Sequence, residues 1–150
     1  MNRVKIKYML LPLIVTLSLF TGCTVKYVAE YDASAKEEVI QIAKKVDLFW
    51  GNLLDTPTDA RQYAVFKDQY NVIETDIRGM QIKNEIREMN EISTNQIKIL
   101  LELWVEDRET HKADDTFTDF IAKRHRTQFV RVFTAIAKGE AAKNMSSGTE

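Results

Sequence analysis

The sequence predicts an all-α fold, an antiparallel four-helix bundle. Three observations lead there. Apolar residues recur at alternating steps of three and four along four long stretches, the spacing that lines them up on one face of a helix. No stretch alternates polar and apolar residues for long enough to make a strand. Only two prolines occur in 150 residues, Pro12 and Pro57, and the four stretches are joined by short polar segments. Short connections make sequential helices antiparallel neighbours, in up-down-up-down order. A three-helix bundle with one detached or broken helix is the alternative.

The N-terminal stretch is of a different kind. Arg3, Lys5 and Lys7 form a basic start, and no acidic residue precedes Cys23. An apolar run follows from Met9 to Phe20, interrupted by Pro12, Thr16 and Ser18, and Thr21-Gly22 supplies small residues beside a cut. This is the order of a secretory signal. The run is shorter than the roughly 20 residues that a membrane-spanning helix needs.

Cys23 is the only cysteine in the sequence, so no disulfide partner explains it. Leu19-Phe20-Thr21-Gly22-Cys23 resembles the lipobox of bacterial lipoproteins, with Leu19 one place earlier than the family pattern sets it. The resemblance implies cleavage before Cys23, a thioether-linked diacylglycerol on its sulfur and an amide-linked acyl chain on its nitrogen. No other cofactor is expected. One acyl chain binds a membrane marginally, at ~0.8 kcal/mol per buried methylene, and two or more hold firmly. In enterobacterial lipoproteins the residue after the cysteine sorts the protein. Thr24 resembles the outer-membrane class, which implies the periplasmic face of the outer membrane.

The expected organisation is therefore a signal peptide over 1–22, a lipidated tether over 23–33, a helical domain over 34–142 and a disordered tail over 143–150. Removing the signal leaves a chain of single-domain size, more acidic than the net charge of −1 of the whole sequence. That balance speaks against a nucleic-acid partner. In the tether, Tyr27 and Tyr31 are placed either at the headgroup level or folded back on the domain. Tyr27-Val28-Ala29-Glu30-Tyr31-Asp32 before an amphipathic helix is similar to a group of small helical bacterial lipoproteins with no established activity.

Ser34-Ala35-Lys36-Glu37 reads as a capping box. Val39, Ile42, Val46, Phe49 and Leu53 then form a stripe that Trp50 widens, with Gly51 as an internal weak point. Thr56-Pro57-Thr58-Asp59 marks the second start, Pro suiting the first helical position. Tyr63, Phe66, Tyr70, Ile73, Ile77 and Met80 make the second seam. Past Gly79 the apolar phase slips to Ile82, Ile86 and Met89, as expected of one long helix that meets two partners in turn. Ser93-Thr94-Asn95 is expected to cap the third helix. Its stripe is Ile97, Leu100, Leu101 and Trp104, and it turns polar from Glu106. After the turn Ala113–Thr116 the fourth helix carries Phe117, Phe120, Ile121, Phe129, Val132, Phe133 and Ile136, and frays near Gly139.

A di-iron carboxylate site on a bundle needs Glu-x-x-His on two helices, but Arg108 and Ala122 stand three residues before His111 and His125. Asp107, His111 and Asp114 or Asp115 read as a solvated helix end, so no metal is expected. His125, near an apolar face, reads as a hydrogen-bonded core histidine. Ser34 and Ser93 read as caps, Ser146 and Ser147 fall in the tail, and no glycine-rich phosphate loop is present, so no catalytic residue is assigned. Lys123, Arg124, Arg126 and Arg131 make the fourth helix basic. They are the candidate partner surface, set against a solvated face balanced by acidic residues.

These readings point to a non-enzymatic interaction protein, held to the membrane by its lipid and bound to an envelope protein. An exclusion or immunity lipoprotein of phage or plasmid type is the second hypothesis. A small-ligand carrier or enzyme built on the bundle is the third.

Overall fold

A computed structural model describes residues 28–147. Cys23 and Thr24 lie outside the described residues. Four helices, α1 (Ala33–Asp55), α2 (Tyr63–Glu85), α3 (Glu91–Asp114) and α4 (Asp119–Ser147), form an antiparallel four-helix bundle. A single 3-10 turn, Thr58–Ala60, lies between α1 and α2. Each helix packs on its neighbours in sequence, and α1 packs on α4, which closes the ring. No helix among the described residues is long and apolar enough to cross a membrane.

The expected seams meet along the bundle axis. Val39, Ile42, Val46, Phe49, Trp50 and Leu53 of α1 are buried against Phe66, Tyr70, Ile73, Ile77 and Met80 of α2. Ile97, Leu100 and Trp104 of α3 and Phe129, Phe133 and Ile136 of α4 complete the core. Its centre is aromatic. The ring of Phe49 meets Tyr70 at 4.5 Å, Trp104 at 5.1 Å and Trp50 at 5.2 Å, all edge to face. That geometry sets a positive ring edge on a negative face. Trp104 also donates its indole N–H to the Tyr70 carbonyl at 3.2 Å, which joins α3 to α2.

The helix ends depart from the sequence expectation. Asp32, not Ser34, caps α1. Its Oδ1 accepts from the backbone N–H of Ser34 at 2.8 Å and of Ala35 at 3.2 Å, and from the Ser34 hydroxyl at 2.7 Å. A carboxylate satisfies these free donors as well as a serine would, and Ser34 is already engaged by it. Glu37 bonds forward to Gln41 instead of back to a cap. Pro57 precedes the 3-10 turn, and α2 begins only at Tyr63. The free N–H of Tyr63 is satisfied from another loop, by Asp115 Oδ1 at 2.9 Å. The third helix starts at Glu91 after Asn90, so Ser93 and Thr94 lie inside its first turn and are buried.

The phase slip after Gly79 has a different resolution from the one expected. α2 keeps its inward face through Asn84, which is buried, and ends at Glu85. Ile82, Ile86 and Met89 are exposed, so they meet no second partner helix. Phe120 is also exposed, because α4 starts at Asp119 and Phe117, ahead of the helix, takes the core position. At the other end α4 does not fray at Gly139. It runs on to Ser147, held by buried Glu140 and Lys143. Ala29 is buried and Tyr31 half-buried, so this part of the expected tether folds back on the domain.

Candidate functional site

The four candidate cations do not make one patch. Arg126 reaches across to α1 and holds Asp47 with two hydrogen bonds, Nε to Oδ1 at 2.6 Å and Nη2 to Oδ2 at 2.8 Å. The bond from Arg126 holds the Asp47 carboxyl below the usual carboxylate range. Lys123 stands 3.7 Å from Asp119 on its own helix. Arg124 lies on the opposite flank, beside Asp107 and Glu106 of α3. Arg131 is exposed, two turns from Arg124. One helix of 3.6 residues per turn spreads such a run around its circumference, and of the four Arg126 is the one bonded to α1.

What the Arg126–Asp47 pair flanks is a groove. It runs between α1 and α4, encloses about 510 Å³, and is lined chiefly by Ile40, Ala43, Leu48, Val130, Phe133 and Ala137. Leu48 is 63 % exposed and Val130 51 % exposed, and both line it. Gly51 lines the groove too, and a Cβ added there would meet no atom within 4 Å. Lys44, Asp55 and Asn52 complete a polar rim. An apolar floor with a charged rim fits the apolar face of an amphipathic helix.

Two buried histidines form the other candidate. His111 is fully buried. Its Nε2 lies 2.7 Å from the Arg61 carbonyl oxygen, so that nitrogen carries the proton. Nδ1 then accepts from the Tyr70 hydroxyl at 3.2 Å. Both nitrogens are used, and burial holds the imidazole below its ordinary value. Burial likewise pushes the Tyr70 phenol up. Arg61 itself is buried, and its guanidinium donates to the carbonyls of Thr56, Phe117 and Leu54 and to Asp119. It ties the end of α1 to the approach of α4.

His125 Nδ1 stands 2.5 Å from Asp107 Oδ1, joining α4 to α3. Burial raises the Asp107 carboxyl, against the pull of His125. The other imidazole nitrogen faces Arg124 Nη2 at 3.4 Å. A general base needs its free nitrogen turned to a substrate hydroxyl or nucleophile, and here a guanidinium stands in that place. The pair acts as a strut between helices. Asp107 and His111, one turn apart in sequence, face different partners. Among the described residues no group of three metal-ligating side chains comes together.

A third polar cluster ties down the opposite end of the bundle. Glu140 of α4 accepts from Arg87 at 2.8 Å, from Lys143 at 2.5 Å and from the backbone N–H of Asp32 at 3.0 Å. Burial pushes the Glu140 carboxyl up, but these donors outweigh it and leave it below its ordinary value. Arg87 also donates to the Glu30 carbonyl at 2.6 Å, and Asn90 bonds Asn84 at 2.8 Å. Composition alone gave no sign of this cluster, since each member reads as a surface residue on its own helix.

Compared with protein-family models, with curated proteins and with solved structures, the chain matches none of them. The functional reading therefore rests on the residues.

Proposed function

We propose that the protein is a lipid-anchored envelope lipoprotein that works by binding another protein and catalyses no reaction. The lipobox-like stretch ending at Cys23 supports the anchor, and Thr24 supports the outer membrane as its place. The observation that carries the binding role is the apolar groove between α1 and α4, with Leu48 and Val130 left exposed on a folded domain. Exposed apolar patches rimmed by polar residues mark interaction sites. An anchored domain also meets membrane-bound partners at raised effective concentration.

The occupant is an amphipathic helix of an envelope protein, laid along the groove with its apolar side down. Crosslinking and pulldown of the lipidated protein from whole cells tests this. Leu48→Asp and Val130→Asp should each abolish the crosslinked species while the domain stays folded. Unchanged capture by both variants would exclude the groove. Turnover of an envelope substrate, lost on changing His125, would show the binding-only reading to be wrong.

A further inference from the structure

Exposed apolar side chains are unevenly spread over the bundle. Six of the twelve large ones among the described residues, Val28, Ile82, Ile86, Met89, Ile92 and Met145, belong to one end. This is the end where α2 finishes, α3 starts and α4 finishes. The far end offers Phe120 and Val65. The apolar end is also where the N-terminal segment enters the fold.

Entry is tightly fixed there. The Ala29 N–H donates to the Met89 carbonyl at 3.0 Å, and the Glu140 cluster holds residues 30 and 32. Met89 has φ 55°, in the left-handed region. A side chain with a Cβ adopts that at a cost of roughly 1–2 kcal/mol, so the surroundings must impose it. Asn90 does so from the next position, bonded to the Asn84 carbonyl at 3.0 Å and receiving Lys143 Nζ at 2.6 Å. The strained tip presents Met89 outward at 46 % exposure, beside Ile86 at 78 % and Ile92 at 73 %. Val28, Met89, Ile92 and Ala142 also line a shallow cavity of about 280 Å³.

We infer that this end of the bundle sits on the bilayer, with Ile86, Met89 and Ile92 inserted at the boundary between headgroups and acyl chains. The inference rests on the reading that the N-terminal segment anchors the chain to a membrane. Val28 lies five residue steps beyond Cys23, and whatever the conformation between them the steps span no more than about 18 Å. A lipid on Cys23 therefore keeps Val28 and its neighbours within that distance of the surface. Left as an uncleaved apolar anchor, Met9–Phe20 would also fix this end and no other. Of the cations at this end, Arg87 and Lys143 face inward to Glu140 and Lys83 pairs with Glu38, while Lys36 is outweighed by the exposed Glu37, Glu88 and Glu91. Contact is thus apolar in origin, and anionic lipid adds nothing to it.

The test uses the full-length lipidated protein in vesicles of phosphatidylethanolamine and phosphatidylglycerol, with or without bromine on the acyl chains. Ile86→Trp, Ile92→Trp and Phe120→Trp are compared. The native Trp50 and Trp104 are fully buried and supply a constant background. Emission from Ile86→Trp and Ile92→Trp should shift to the blue and be quenched by brominated lipid, equally in vesicles lacking phosphatidylglycerol, while Phe120→Trp is unaffected. Vesicle-bound protein with equal quenching at all three positions, or with none at 86 and 92, overturns the orientation and leaves the anchor standing. A blue shift without quenching also overturns it, because a second copy of the chain then covers this end. Protein that stays off the vesicles and carries no acyl mass on Cys23 overturns anchor and orientation together.

Discussion

His111 Nε2 donates to the backbone carbonyl of Arg61 at 2.7 Å, fifty residues back along the chain. That bond makes a buried imidazole the fastener between α3 and the loop ahead of α2. Its ring also lies 4.8 Å from Phe117 and 5.7 Å from Tyr70. The same burial makes the fastener sensitive to acid.

The sign follows from the direction of the shift. His111 is held below its ordinary value of 6.5, chiefly by burial, against the Arg61 carbonyl and the charge of Asp115. The unfolded chain therefore takes up the proton first as the pH falls. The stability that neutral His111 contributes is complete above about pH 6.5 and is lost as the pH falls through the folded value. Depressed carboxylates such as Asp47 and Glu140 lose their contribution lower, below their ordinary values of 3.8 and 4.5. Asp107, raised by burial, works in the opposite sense. Urea unfolding should show a lower midpoint at about pH 5.5 than at about pH 7.5. His111→Gln should cost ~2–4 kcal/mol at neutral pH and flatten that difference. An unchanged slope in the variant would assign the acid sensitivity elsewhere.

Arg61 gives a second contrast. It forms an ion pair with Asp119 at 2.7 Å, but Asp119 is 57 % exposed on its side chain and Arg61 only 3 %. The exposed partner is screened by water, so the pair itself adds little to stability. The carbonyls of Leu54, Thr56 and Phe117 are the partners that matter. Asp119→Asn should thus be nearly neutral, whereas Arg61→Met should cost ~3 kcal/mol or more by leaving several acceptors without donors. Equal losses for the two variants in denaturant titrations would show the ion pair to be the main tie.

The bundle was legible in the sequence because its seams are periodic and strongly apolar. Val39 through Leu53 and Phe66 through Met80 are buried as their spacing requires. The ends were less legible, since their partners come from distant sequence. Asp115 caps α2 from the next loop but one, and Arg61 reads as a surface arginine until its carbonyl acceptors are in place. Phe117 and Phe120 compete for one core position, and only the start of α4 decides between them. The groove is not legible in the sequence for a related reason. Leu48 and Val130 lie off the seams, and nothing in either helix alone says that their flanks meet.

Lipidation and sorting lead to a third prediction. Mass spectrometry of protein purified from membranes should show a mature chain that begins at Cys23 and carries diacylglycerol and an amide-linked acyl chain. Cys23→Ser should leave the chain unprocessed or soluble. Thr24→Asp should move the protein from the outer to the inner membrane on fractionation. A mature N-terminus elsewhere would remove the anchor, and an inner-membrane location of the native protein would remove the sorting role of Thr24.

The last prediction separates stability from function at Gly51. A glycine inside a helix costs up to ~1 kcal/mol relative to alanine, through the freedom it loses on folding. Gly51 lies inside α1 and Gly79 inside α2, and a Cβ at either would meet nothing within 4 Å. Nothing in the packing therefore requires either residue to be glycine. Gly51→Ala and Gly79→Ala should each stabilise the domain by ~0.5–1 kcal/mol, read as a higher denaturation midpoint. The two positions differ in what lies outside them. Gly79 is exposed on α2, while Gly51 lines the groove between α1 and α4. A side chain at Gly51 projects into the space assigned to a partner helix, where the close approach of two backbones depends on small residues. Gly51→Leu should accordingly keep the fold and reduce crosslinked partner, with Gly79→Leu as the control that leaves capture intact. Stabilisation at both sites with full capture by Gly51→Leu would mean that the partner does not enter this groove.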